Sequence, residues 1–315
     1  MLRCEECLRA NPPTRVNCLY CGVALQHTES SARLRKPTLR QPERNQEGYN
    51  SILLPHNTKT VDEQSLQAAA SLLKLSIESL QKILSAGVPL PVARTASADE
   101  AELVLDRLGE VGLVTVTLSD SMLGLFEPAE RVRSLHFEEE TVQVFHSGRP
   151  KPSILKLHDI VLLVSGRLIR TRIEVKERKS RQAENEIIET SQFFEDETVL
   201  DFYATSHPQT WRISANSFDF SCLQEKKTLV AGQNLVSIIN LISSRASHAK
   251  LDETHNRLKQ TLEPVWTLEQ ETTSSGWRRH APGKYSLGEA TMNSNESQFT
   301  RYSRLLHYFT LNPIS

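Results

Sequence analysis

The stretch Ile154–Val175, ILKLHDIVLLVSGRLIRTRIEV, decides how the larger part of this chain is built. Two runs rich in β-branched and aliphatic residues flank Gly166, which reads as a turn between two strands of a hairpin. Working outward, RSLHFEEETVQVF before it and TVLDFYAT and TWRISANSFDFS after it read as further short strands, with a second turn at Gly148. KKTLVAGQNLVSIINLISSRA then sets Leu229, Leu235, Ile238, Ile239 and Ile242 on one face of a helix. Many short strands closed by one amphipathic helix predict a mostly β barrel over 131–248, with Trp211, Phe218 and Cys222 in its packing.

Ahead of this region the pattern changes. YNSILLPH reads as a strand, and SLQAAASLLKLSIESLQKILSAG places Leu66, Ala69, Leu72, Leu73, Leu75, Ile77, Leu80, Ile83 and Leu84 at helical spacing, with a break near Ser76 and an end at Gly87. VPLPVARTA is a strand, and SADEAELVLDRLGEVG is a helix opened by a capping box of Ser97 and Glu100, with Ala101, Val104, Leu105 and Leu108 inward. LVTVTLSD closes the series. The order strand, helix, helix, strand, helix, strand predicts a small α/β sandwich over 49–121, joined by 122–130 to the β domain.

The head carries CEECLRANPPTRVNCLYC, residues 4–21, with four of the five cysteines of the chain. Cys4 and Cys7 form one Cys-x-x-Cys turn and Cys18 and Cys21 another, and two such turns facing each other make a tetrahedral thiolate cage suited to zinc. Four thiolates fill the coordination shell, so the expected Zn2+ is structural, not catalytic. The pattern, with its NPP loop and closing CxxCG, resembles the short zinc-ribbon modules at the N-termini of many bacterial proteins, over residues 1–26. Residues 27–48 carry five Lys/Arg against three Glu and few apolar residues, the composition of a flexible basic linker.

Two further resemblances follow from the element order. KLSIESLQKILSAGVPLPVARTASADEAELVLDRLGEVGLVTVTLSD is similar to the C-terminal domain of the bacterial ribosomal stalk protein. That domain docks translation factors through a lysine-bearing helix face; here the corresponding helix offers Lys74 and Lys82 with Glu78 between them. The β region, through ILKLHDIVLLVSGRLIRTRIEV, resembles bacterial pleckstrin-homology-like domains, which bind proteins or lipids.

A competing reading lies in the same stretch. Asp159, a hairpin, then Glu174 and Lys176 reproduce the acid and Glu-x-Lys spacing of restriction-type nucleases, in which two carboxylates hold Mg2+ and the lysine supports the attacking water. KERKSR, with Lys176, Arg178, Lys179 and Arg181, reads as a solvated loop, its alternative a patch for lipid phosphate or nucleic acid. Residues 249–315 form a tail, helical at LDETHNRLKQTLEP and again at SQFTRYSRLLHYF, where Phe299, Tyr302, Leu305, Leu306 and Phe309 could dock on the body.

A net charge of −1, from 37 Lys/Arg and 38 Asp/Glu, gives no whole-chain attraction to nucleic acid or anionic lipid. MLRCEECLRA has no apolar core, so no signal peptide is expected, and there is no run near the ~18 apolar residues of a spanning helix, no Gly-rich phosphate loop, no nucleophile elbow and no Cys/His dyad. His136, His146 and His158 show no metal-site spacing. The sequence therefore predicts a multi-domain α+β, cytoplasmic, non-enzymatic zinc-binding adaptor with a protein partner. A nucleic-acid or ribosome-associated role through ribbon and linker is the alternative, the nuclease a third, and membrane contact at most peripheral.

Overall fold

The computed structural model describes residues 1–26, 35–43, 46–55, 61–148, 150–180, 186–281 and 284–313, with backbone alone at 176–180, 186–189, 275–281 and 284–288. It is a mixed α+β protein of two compact units, Met1–Phe126 with Gln260–Trp266, and Glu127–Lys259 with Thr267–Ser315.

The first unit opens with two short paired strands, β1 (Leu2–Arg3) and β2 (Ala10–Asn11). It continues through β3 (Tyr49–Leu53), α1 (Glu63–Leu73), α2 (Ile77–Ser85), β4 (Leu90–Thr95), α3 (Ala98–Glu110) and β5 (Thr115–Ser119). The caps explain the breaks. Asp62 and Ser76 accept the amides of Ser65 and Ser79 at the starts of α1 and α2, and Lys74 turns left-handed to end α1. β3 is the centre of an antiparallel sheet ordered β4-β3-β5. Leu66, Ala69, Leu73, Leu80, Ile83, Ala101, Val104 and Leu108 are buried, and Leu103 is more buried than the expected Leu105.

The capping box at α3 is only half formed. Ser97 Oγ accepts the Glu100 amide at 3.3 Å, but the Glu100 carboxylate faces the segment read as linker. It accepts the Thr38 amide, Thr38 Oγ1 at 2.5 Å and the Leu39 amide at 2.8 Å. Lys74 Nζ donates to the Thr38 carbonyl at 2.7 Å. Residues around Thr38 are thus tied down, and Lys74 is engaged within its own unit; residues 27–34 and 44–45 lie outside the described residues.

The second unit holds a curled, half-barrel sheet of nine strands, β6 (Glu130–Phe137), β7 (Thr141–His146), β8 (Ser153–Lys156), β9 (Ile160–Ser180), β10 (Glu186–Ala204), β11 (Trp211–Ser214), β12 (Lys250–Asp252), β13 (Glu269–Ala281) and β14 (Lys284–Ser294). The order is β13-β14-β9-β10-β11-β6-β7-β8, with β12 parallel to the start of β9. Helix α4 (Ala231–Arg245) buries Leu235, Ile238, Ile239 and Ile242 in one core with Leu163, Leu200, Phe202, Trp211 and Ile213. Leu229, expected on that face, precedes the helix and is fully exposed. Beyond the short helix α5 (His255–Leu262), α6 (Glu296–Leu311) buries Phe299, Tyr302 and Leu305.

The principal difference from the sequence reading lies at Gly166. No hairpin forms there: β9 runs unbroken for 21 residues, and Gly166 pairs with Val199 inside the β9–β10 ladder. A Cβ at Gly166 would stand 2.5 Å from the Phe299 ring, so the glycine marks the place where α6 meets the strand and not a turn. Gly148, with φ +84°, is a turn as expected. KERKSR, read as a solvated loop, is strand along 176–180, and β10 begins at Glu186. The tail adds the β13–β14 hairpin to the other edge of β9, with Lys284–Ser294 paired to Ser180–Arg170. The distal parts of β9, β10, β13 and β14 make a four-stranded arm.

Candidate metal centre

The head is built from two copies of one turn. Leu8 N–H donates to the Cys4 carbonyl at 2.9 Å, and Gly22 N–H donates to the Cys18 carbonyl at 3.0 Å. Leu8 (φ 58°) and Gly22 (φ 77°) both take the left-handed conformation that closes the turn. Cys4 N–H donates to the Arg9 carbonyl and Cys18 N–H to the Val23 carbonyl, closing each knuckle on itself.

The four sulfurs of Cys4, Cys7, Cys18 and Cys21 lie within 4.8 Å of one another. Cys4–Cys21 and Cys7–Cys18 are each 3.5 Å apart. A tetrahedral zinc site with bonds of about 2.3 Å sets its sulfurs ~3.8 Å apart, so the donor set fits a dication such as zinc. All four sequence-predicted ligands converge. Leu25 and Leu2 pack against them, Cys4 and Cys18 are buried, and Cys21 is exposed.

Asn11 is the part that the spacing of the cysteines does not reveal. Fully buried, it accepts the Leu19 amide on Oδ1 at 2.9 Å, while Nδ2 donates to the Arg9 carbonyl at 3.1 Å and lies 3.4 Å from Cys18 Sγ. One carboxamide braces both knuckles. Its only sequence signal is its place at the head of the NPP loop.

The electrostatics also suit a cation. Desolvation pushes the Cys18 thiol up, but the Tyr20 and Cys21 amides and Asn11 outweigh it and bring it down to about 6. The Val23 amide pulls the Cys21 thiol down, yet desolvation and the other sulfurs push it up to about 12. Clustered thiolates repel one another, and a bound dication removes that conflict.

The knuckle tips are exposed and apolar: Leu8, Leu19, Tyr20 and Val23 are all solvent-facing, and the Arg9 guanidinium sits 4.7 Å from the Tyr20 ring centre.

Among the described residues, the two acids of the nuclease constellation, Asp159 and Glu174, do not come together. Asp159 ends a short turn before β9, and Glu174 lies far along that strand, separated from it by roughly 50 Å of chain at the usual strand rise. Asp159 faces His158 at 3.2 Å and Glu174 faces Arg172 at 2.8 Å. Lys176 lies two positions beyond Glu174, and its side chain is outside the described residues. The missing hairpin at Gly166 is the reason. Arg181, of the basic patch, is also outside the described residues. His146 is held between Glu130 and Ser153, and Cys222 packs at the margin of the α4 core, where burial raises its thiol.

Compared with protein-family models, curated proteins and solved structures, the chain matches none of them. No described helix is long and apolar enough to cross a membrane.

Proposed function

We propose that the protein is a non-enzymatic, zinc-stapled adaptor of the cytoplasm that recognises another protein through the tips of its ribbon. The observation that carries this reading is the pairing of a closed four-sulfur donor set with exposed Leu8, Leu19, Tyr20 and Val23 on the turns that hold it. With four thiolates bound, zinc has no position left for substrate, and its effect is to fix the knuckles that present the apolar residues. Aromatic and arginine side chains, here Tyr20 and Arg9, are the residue types that dominate protein interfaces.

The element order of 49–119 is in keeping with the stalk-domain resemblance, and the half-barrel with α4 against it is in keeping with the pleckstrin-homology-like one. Both point to binding modules rather than enzymes.

The test is capture from native cytosol with three forms of the full chain: wild type, Leu19→Glu/Tyr20→Glu, and Cys4→Ser/Cys7→Ser, with zinc counted in each. The reading expects a protein held by the wild type and lost by both variants, although the first still carries zinc. Equal capture by all three forms would move recognition away from the ribbon.

A further inference from the structure

The four sulfurs of the ribbon are not equivalent. Cys21 is exposed and Cys7 half-buried, whereas Cys4 and Cys18 are buried. The two close contacts cross from one knuckle to the other, Cys4 to Cys21 and Cys7 to Cys18, each at 3.5 Å. Each pair therefore joins a sulfur that solvent reaches with one sealed behind it. An accessible cysteine beside a resolving partner is the arrangement that reversible oxidation uses. Ligation would hold all four as thiolates, the form that an oxidant attacks. Among the described residues Cys222 forms no such pair.

Closing either crossed pair brings its sulfurs together by about 1.5 Å, to the ~2.05 Å of a disulfide. The chemistry balances with hydrogen peroxide as oxidant. The Cys21 thiolate attacks one peroxide oxygen, the O–O bond breaks, and a sulfenic acid and hydroxide form. The Cys4 thiolate then attacks that sulfur and displaces a second hydroxide, and two protons turn both hydroxides into water. Repeated at Cys7 and Cys18, this consumes every thiolate donor, and zinc binds thiolate, not disulfide. Leu19 and Tyr20 lie between Cys18 and Cys21, and Leu8 follows Cys7, so the tips move with the sulfurs.

We infer that the ribbon is a peroxide-sensitive clasp, in which oxidation joins Cys21 to Cys4 and Cys7 to Cys18, sheds the zinc and withdraws the apolar tips from their partner. The last clause rests on the adaptor reading; the disulfides and the loss of zinc do not.

The experiment treats the zinc-loaded full chain with hydrogen peroxide, follows released zinc with a chromophoric chelator, and maps disulfides by mass spectrometry after alkylation and trypsin. Trypsin separates the knuckles into peptides 4–9 and 16–33 and leaves Cys222 in 213–226. Peroxide should free the one zinc of the site and link peptides 4–9 and 16–33, with fragment spectra placing the bonds at Cys4–Cys21 and Cys7–Cys18. Cys222 should remain alkylated. At limiting peroxide the Cys4–Cys21 bond should lead, because Cys21 is the most exposed of the four. Capture from cytosol should be lost with the zinc and return after dithiothreitol and zinc are added. Zinc retained under peroxide, bonds within a knuckle or between chains, oxidation running on to sulfonic acid, or a captured protein held equally by the oxidised chain would each overturn the inference. A reduced, zinc-loaded chain that captures nothing would overturn the adaptor reading and the last clause with it, while zinc release and the disulfide map still decide the clasp.

Discussion

Asn11 and Gly22 show how much of the metal centre depends on residues that are not ligands. Asn11→Ala deletes the acceptor of the Leu19 amide and the donor facing Cys18 Sγ. Zinc affinity should fall ~10–100-fold, the usual effect of removing an outer-shell partner, measured by competition with a chromophoric chelator. Gly22→Ala puts a side chain at φ 77°, at a cost of about 1–2 kcal/mol, so the same competition should show a smaller loss. Leu8 already accepts that conformation at φ 58°, and Leu8→Gly should leave affinity equal or slightly higher. The ligands were legible because Cys-x-x-Cys spacing is itself the geometry of the turn. Asn11 was not, because Asn before Pro reads equally well as an ordinary turn residue.

At the scale of elements, α6 depends on the sheet beneath it. Gly166→Ala would push a methyl into the Phe299 ring, with an expected loss of ~1–3 kcal/mol, as for other overpacked cores. Urea unfolding measures it, and Phe299→Leu in the same chain should recover part of the loss, because the two sites share one contact. The same interface predicts a pH dependence. Burial, with Lys259 nearby, lowers His255 to about 4, and burial with Arg304 nearby lowers His307 to about 4. Both are neutral in the fold. Since an unfolded histidine titrates near 6.5, their stabilising contribution is full above that pH and is lost as pH falls toward 4. Thermal melting between pH 7.5 and 4 should show this decline, and His255→Phe should flatten it. The hairpin error has a matching cause. IVLLV and VLDFYA are buried on both faces, between α4 and α6, so glycine at the packing point resembled punctuation. The β13–β14 hairpin was hidden for the opposite reason: Glu269–Ser274 is polar and largely exposed, and its strand order comes from main-chain pairing, not from an apolar pattern.

For the whole molecule, the chain path matters more than any single module. The first unit is not finished at residue 126: Gln260–Trp266 belongs to it, after the chain has built much of the second. Trp266 is fully buried, and its Nε1 donates to Asn50 Oδ1 at 2.9 Å across a separation of 216 residues. Asn50 lies on the central strand β3 and passes the connection on, donating to the Leu118 carbonyl and to Asp120 Oδ1, which are at and beyond the end of β5. Trp266→Ala therefore removes a large ring and orphans a buried amide oxygen. The loss expected for such a truncation is ~3–5 kcal/mol, and it should fall on the first unit. Hydrogen exchange by mass spectrometry reads this directly. Protection should drop in β3, β4 and β5, while α4, whose core is made of second-unit residues, keeps its protection. Equal loss in α4 would mean that the two units unfold as one. A fragment ending at Phe126 should show the same weakened sheet, because it lacks Trp266 altogether. Contacts this distant in sequence also form late in folding, so refolding of the β3–β5 sheet should lag behind α4 in a pulse-labelled exchange experiment.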